Sequence, residues 1–225
     1  MPLSVRRREV LHQMGIPVWV PRHSPAPGPA PAHASEMLVT ECDWETLQAR
    51  VAACTVCADL AGRRTQTVFG VGDPQADWLF IGEAPGAEED RTGEPFVGRA
   101  GQLLDNMLAA LGLRRGDNVF IANILKCRPP GNRDPSPEEA ASCRPFLDRQ
   151  IDLIEPRVIV ALGRIAAQSL LDSDLPLGRL RGREHRFRDL PLVVTYHPAY
   201  LLRAPTEKAK VWGDLLFARE CMHRV

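Results

Sequence analysis

No run of 18 apolar residues occurs in the 225-residue sequence, and no uninterrupted apolar segment follows the basic run Arg6, Arg7, Arg8. These absences argue against a membrane-spanning helix and a secretory leader, so the sequence reads as a cytoplasmic protein with no membrane partner. An excess of charge is missing too, because Lys+Arg and Asp+Glu count 28 each. A balanced chain has no global pull toward nucleic acid or membrane, and any such signal has to be local. No internal repeat is visible. Composition, with 44% hydrophobic and 25% charged residues, is that of a soluble globular protein with one main domain.

Three segments are expected. Residues 1–20 form an N-terminal extension with a short helical pattern and an apolar stretch ending at Trp19. Residues 21–40 form a linker, because PRHSPAPGPAPAHA holds five prolines in fourteen positions and favours extended polyproline conformations that cannot build a core. Residues 41–225 form the folded domain. There, short apolar runs at WLFIGEA (78–84), NVFIANILK (118–126), RVIVALG (157–163) and LPLVVTYH (190–197) look like buried parallel strands. Helical patterns lie between and after them: GQLLDNMLAAL, the stretch from PEEAASC to LIE, GRIAAQSLL and EKAKVWGDLLFARECM. Ser136 followed by Pro137 is a helix start. The alternation predicts an α/β fold with a central, mainly parallel four-stranded sheet flanked by helices on both faces. Ligands of such sheets bind beyond the carboxyl ends of the strands, which here run into GEAPGAEEDRTGEPFVG, NILKCRPP, LGR and HPAYLLR.

Six cysteines without a secretion signal point away from a disulfide scaffold and toward metal or thiol chemistry. Cys54 and Cys57 form a C-x-x-C pair, and Cys127 and Cys143 form a second pair across a proline- and charge-rich loop. Cys42 and Cys221 stand apart and read as small buried hydrophobes. Two paired sets complete a tetrahedral thiolate site, which suits zinc or an iron-sulfur cluster. Spacing alone leans toward zinc, because tetracysteine zinc sites are common.

Taken together, GEAPGAEEDRTGEPFVGRAGQLLDNML, NILKCRPPGNRDPSPEEAASCRPFLDRQIDLIEPRVIVALG and TYHPAYLLR closely resemble the family 4, iron-sulfur, uracil-DNA glycosylases of the uracil-DNA glycosylase superfamily. The likeness covers about residues 41–225. It implies that Cys54, Cys57, Cys127 and Cys143 bind a 4Fe-4S cluster of structural role. It also places uracil contacts at Gly82, Glu83 and Ala84, the base-stacking aromatic at Phe96, and the base-reading amide at Asn123. An asparagine there can accept from uracil N3–H and donate to O4, an edge that cytosine reverses. His197 is then placed to donate to uracil O2 as charge develops on the departing base.

Superfamily members with a strong general base carry Asp where this chain has Ala84. Glu83 and Glu89 are the nearby carboxylates, and both are assigned to stabilising an oxocarbenium-like transition state. Where a tyrosine often blocks the 5-methyl group of thymine, this chain has Gly86. Leu201 and Leu202 match the wedge that enters the base stack, and Arg203 a phosphate contact. The run RLRGREHRFR (179–188) is a further candidate DNA surface.

The implied activity is that of a monomeric, monofunctional uracil-DNA glycosylase. It would act on uracil-containing DNA, single- or double-stranded, and leave an abasic site. Lys126, beside a cluster ligand, is the only lysine in the motifs, so no lyase step is expected. A related enzyme that traps the abasic sugar through a histidine in an inserted loop does not fit, because GRAGQLL and KCRPPGNRDP carry neither insertion nor histidine. The alternative from another class is a non-catalytic iron-sulfur DNA-binding module of replication or repair machinery. It would have no reason to keep Asn123 and His197 together.

Overall fold

The computed structural model describes residues 39–224, so the expected extension (1–20) and the linker up to residue 38 lie outside the described residues. Val39 and Cys42 are already buried in the core. Helix α1 (Trp44–Ala53) starts on Asp43, whose side chain accepts from Thr46 N, and short α2 (Ala58–Arg63) follows. The sheet then alternates with helices: β1 (Val71–Gly72), β2 (Trp78–Gly82), α3 (Ala87–Thr92), α4 (Arg99–Ala110), β3 (Val119–Asn123) and α5 (Pro137–Ile154). Next come β4 (Val158–Leu162), α6 (Arg164–Leu171), α7 (Leu177–Leu180), β5 (Glu184–Phe187), β6 (Leu190–Thr195), α8 (Pro198–Arg203) and α9 (Lys208–His223).

The sheet has six strands in the order β1-β3-β2-β4-β6-β5, where four were expected. The four expected strands are the parallel centre, β3-β2-β4-β6. Two short antiparallel strands close the edges, β1 on β3 and β5 on β6. Both escape sequence reading for physical reasons: β1 is two residues long, and β5 is the charged stretch EHRF. Charge is what an edge strand carries to discourage pairing with another chain.

Alternate residues of the central strands feed two cores. Leu79, Ile81, Phe120, Ala122, Ile159, Ala161, Leu192 and Val194 face one side, with Leu47 and Val51 of α1 and Phe146, Leu147 and Ile151 of α5. Trp78, Phe80, Val119, Ile121, Val158, Val160 and Val193 face the other, with Leu104 and Leu108 of α4 and Val211 and Leu215 of α9. A strand covered on both faces reads as a continuous apolar run instead of an alternating one. The Ser136 start of α5 is a full capping box: Ser136 Oγ accepts from Glu139 N at 3.2 Å, and the Glu139 carboxylate accepts from Ser136 N at 2.8 Å.

Candidate active site and thiol pocket

Strand register decides which side chains meet. Gly82 and Asn123 are paired at the carboxyl ends of β2 and β3, and the chains stay together beyond them, with Ile124 N donating to Gly82 O and Leu125 N to Glu83 O, each at 3.0 Å. A pocket opens there, lined by Glu83, Ala84, Gly86, Glu89, Phe96, Asn123, Asn132, Arg133, His197 and Arg203 among others. Gly82 lies behind two of the lining side chains, Asn123 and Phe96. A Cβ at that position would come within 2.5 Å of Asn123 Oδ1 and 2.6 Å of the Phe96 ring, so glycine lets both side chains sit close against the strand end. The resemblance thus gathered residues from four separate segments that the fold brings together.

Asn123 is 3% exposed, and its Oδ1 is a buried acceptor with no hydrogen-bond donor among the described residues. Leaving such a group unsatisfied costs about 1–3 kcal/mol. An acceptor held at that cost, with a pocket in front of it, suits a ligand that brings its own N–H.

His197 caps α8, its Nδ1 accepting from Ala199 N at 3.1 Å. That bond puts the ring proton on Nε2. Burial holds the imidazole down to about 4, against an opposing pull from Glu89 and with a further push from Arg203. His197 is therefore a neutral Nε2–H donor at physiological pH. Its ring stacks on Phe96 at an interplanar angle of 29°, with centroids 5.3 Å apart.

The two glutamates differ. Burial lifts Glu83 to about 7, with Asp134 adding to the rise and Arg164 opposing it; Arg164 itself pairs with Asp134 at 2.7 Å. Glu89 is engaged with the backbone, accepting from Gly86 N at 3.1 Å, Val97 N at 3.0 Å and Gly98 N at 3.3 Å. Its oxygens shape the turn, and Glu83 is the carboxylate with the freer oxygens.

The wedge pair separates. Successive residues on a helix point about 100° apart, so one leucine of α8 faces the core while its neighbour faces outward. Leu201 is 1% exposed and packs in the core, whereas Leu202 is 38% exposed. This corrects the expectation for Leu201 and leaves Leu202 as the outward apolar side chain, beside exposed Arg203. The arginine run is also largely used within the protein. Arg181 forks onto the buried Asp214 at 2.8 and 2.6 Å, Arg188 pairs with Asp148 and Asp152, and Arg186 donates to Asp189 O.

Cys54, Cys57, Cys127 and Cys143 line a second pocket together with apolar Val51, Leu60, Leu125 and Phe146. Cys54 ends α1, Cys57 begins α2, Cys127 follows β3 and Cys143 sits on α5. Arg64 Nη1 donates to Cys127 Sγ at 2.8 Å, and Lys126 N to Cys143 Sγ at 3.3 Å. Burial pushes Cys143 up to about 12 and also raises Cys57 and Cys127. Among the described residues no three His, Cys, Asp or Glu side chains converge as around a single ion; the four thiols instead ring a pocket.

The sequence profile of the uracil DNA glycosylase superfamily matches residues 69–216. The chain belongs to that superfamily. A type-4 uracil-DNA glycosylase from Archaeoglobus fulgidus is 47% identical over 172 residues, spanning 73% of this chain and 85% of the relative. One from Thermotoga maritima is 47% identical over 161 residues, spanning 71% and 83%. One from Pyrobaculum aerophilum is 42% identical over 181 residues, spanning 77% and 91%. Among the described residues no helix is long and apolar enough to cross a membrane.

Two residues that support the candidate pocket gain their role only from the fold. Lys126 is 1% exposed, and its Nζ donates to Asn123 O at 3.0 Å and Gln150 Oε1 at 2.5 Å. It ties the carboxyl end of β3 to the helix that bears Cys143. Gly163 has φ 95°, and a Cβ there would sit 3.0 Å from His197 Cβ. Only glycine fits both demands.

Proposed function

We propose that the protein is a monofunctional uracil-DNA glycosylase that flips deoxyuridine from DNA and hydrolyses its N-glycosidic bond to start base excision repair. The observation that carries this reading is the orphaned Asn123 Oδ1 in a pocket shared with a neutral, proton-donating His197. Uracil N3–H supplies the missing donor, and the asparagine amide answers O4. The Phe96 ring stacks on the flipped base.

Chemistry then needs two things. As the C1′–N1 bond breaks, its electron pair leaves with uracil, and His197 Nε2–H stabilises the negative charge at O2. Water adds its oxygen to the cationic C1′, and the Glu83 carboxylate takes the proton that water loses. Neutral uracil is formed when its N1 picks up a proton from solvent. Glu89 holds the turn around the base. Arg203 meets phosphate and Leu202 fills the vacated stack.

The four cysteines suit a 4Fe-4S cluster, because the donor set is all thiolate and rings a pocket. Cys54, Cys57, Cys127 and Cys143 would hold it, and its part would be to brace the loop after β3, since hydrolysis calls for no electron transfer.

Purified protein incubated with a uracil-containing oligonucleotide should yield a strand break at uracil after alkali treatment. The same preparation should be brown, with roughly four irons per chain and little zinc. Binding without excision would favour the non-catalytic module, and a colourless active protein with stoichiometric zinc would remove the cluster.

Glu83 sets the expected pH profile. Its pKa near 7 means that the ionised fraction grows as pH rises from 6 to 8, so the single-turnover rate should rise with it. Glu83→Gln should flatten that rise. Stability should move the opposite way: a folded-state pKa raised above the ordinary 4.5 is a contribution present at low pH and lost as pH passes 7. Glu83→Gln should therefore melt higher than the parent at pH 8 and not at pH 5. A parent rate independent of pH over this range would take Glu83 out of the water step.

Leu202→Ala should slow excision from double-stranded DNA more than from single strands, because a single strand has less stacking to break. Equal losses on both substrates would remove Leu202 from the wedge role.

A further inference from the structure

We infer that Arg115 is a positioning residue that holds the Phe96 ring in place for stacking, from a site outside the pocket. Phe96 has φ 57°, a left-handed conformation that a bulky L residue adopts only when its surroundings impose it. The surroundings here are charged on both sides. Arg115 Nη1 donates to Pro95 O at 2.7 Å and its Nη2 to Phe96 O at 2.9 Å, while its Nε donates to Asp105 Oδ1 at 3.0 Å. Immediately downstream, Glu89 Oε1 accepts from Val97 N and Gly98 N.

A cation thus pins two successive carbonyls and an anion pins the next two amides. The peptide units around the aromatic are held from opposite directions. Gly101, in the first turn of α4, completes the arrangement, since a Cβ there would lie 1.6 Å from Phe96 O.

The guanidinium suits this task because its planar fork meets two acceptors at once, which a lysine ammonium on a flexible stem does not. Arg115 is mostly buried, with a side chain 20% exposed, whereas Asp105 is 49% exposed. It does not line the pocket, so it acts on the base only through Phe96. The inference rests on the reading of Phe96 as the base-stacking residue.

Free uracil is the suitable probe, because it reports the base pocket without DNA contacts. Competition by free uracil against excision should weaken about tenfold in Arg115→Met, within the range of one base-aromatic stacking contact, and less in Arg115→Lys. In a Phe96→Leu background Arg115→Met should add less than twofold, because the ring it positions is gone. Parent-like competition in both Arg115 variants would overturn the inference. So would a full tenfold loss in the Phe96→Leu background, which would make Arg115 a general structural brace. If Phe96→Leu itself competes like the parent, the stacking reading fails and Arg115 has nothing to position. Should Arg115→Met fail to fold, Arg115→Lys carries the same cycle.

Discussion

Asn123→Asp should lower uracil excision by roughly 10³-fold or more at pH 8, the scale on which a site built around paired hydrogen bonds rejects a mismatched partner. The amide offers uracil an acceptor for N3–H, the orphaned Oδ1, and a donor for O4. A carboxylate keeps the acceptor, loses the donor, and sets a second negative oxygen against O4. One carboxylate oxygen can instead accept from the amino group of cytosine. Weak excision of unpaired cytosine should therefore appear, limited by cytosine's poor leaving ability.

Position 123 is 3% exposed, and burial raises a carboxyl group's pKa. Below that raised value the neutral acid presents one acceptor and one donor, as the amide does. The deficit in uracil excision, taken as a ratio to the parent at the same pH, should shrink from pH 8 to pH 5. Parent-speed excision on the same oligonucleotide at pH 8 would show that Asn123 does not read the base.

The parallel centre of the sheet was legible because β2, β3, β4 and β6 are buried on both faces, so their sequences are unbroken apolar runs. β5 was not, because an edge strand carries charge, and EHRF sits in a stretch that reads as solvated arginines. The thiols stood out through their spacing, whereas Arg64 and Lys126, which donate to Cys127 and Cys143, are ordinary basic residues until the fold places them. The same holds at the candidate pocket. Motifs marked Asn123, His197 and Phe96, but the unsatisfied oxygen, the fixed tautomer and the left-handed backbone are properties of packing. Leu201 and Leu202 show the limit most directly: adjacent identical letters take opposite environments because a helix turns between them.

His197→Ala should slow single-turnover excision by about 10² to 10³, the usual loss on removing one donor aimed at a developing oxyanion. DNA binding should stay close to the parent's, since the ring meets the base and not the phosphates. The donor is the neutral imidazole: burial keeps its pKa near 4, and the Ala199 N–H fixes the proton on Nε2. His197 should therefore contribute no titration to the parent's rate between pH 5 and 8, and the rise near pH 7 should survive in His197→Ala because it belongs to Glu83. Gly163→Ala offers an independent approach to the same group. Its Cβ would press to 3.0 Å from His197 Cβ at a φ that disfavours alanine, so it should lose part of the same rate with His197 still present. In the double variant the two losses should not multiply, because a displaced ring and a missing ring fail at the same O2 contact. Excision by His197→Ala at the parent rate would remove this residue from the mechanism and leave the departing base without a donor at O2.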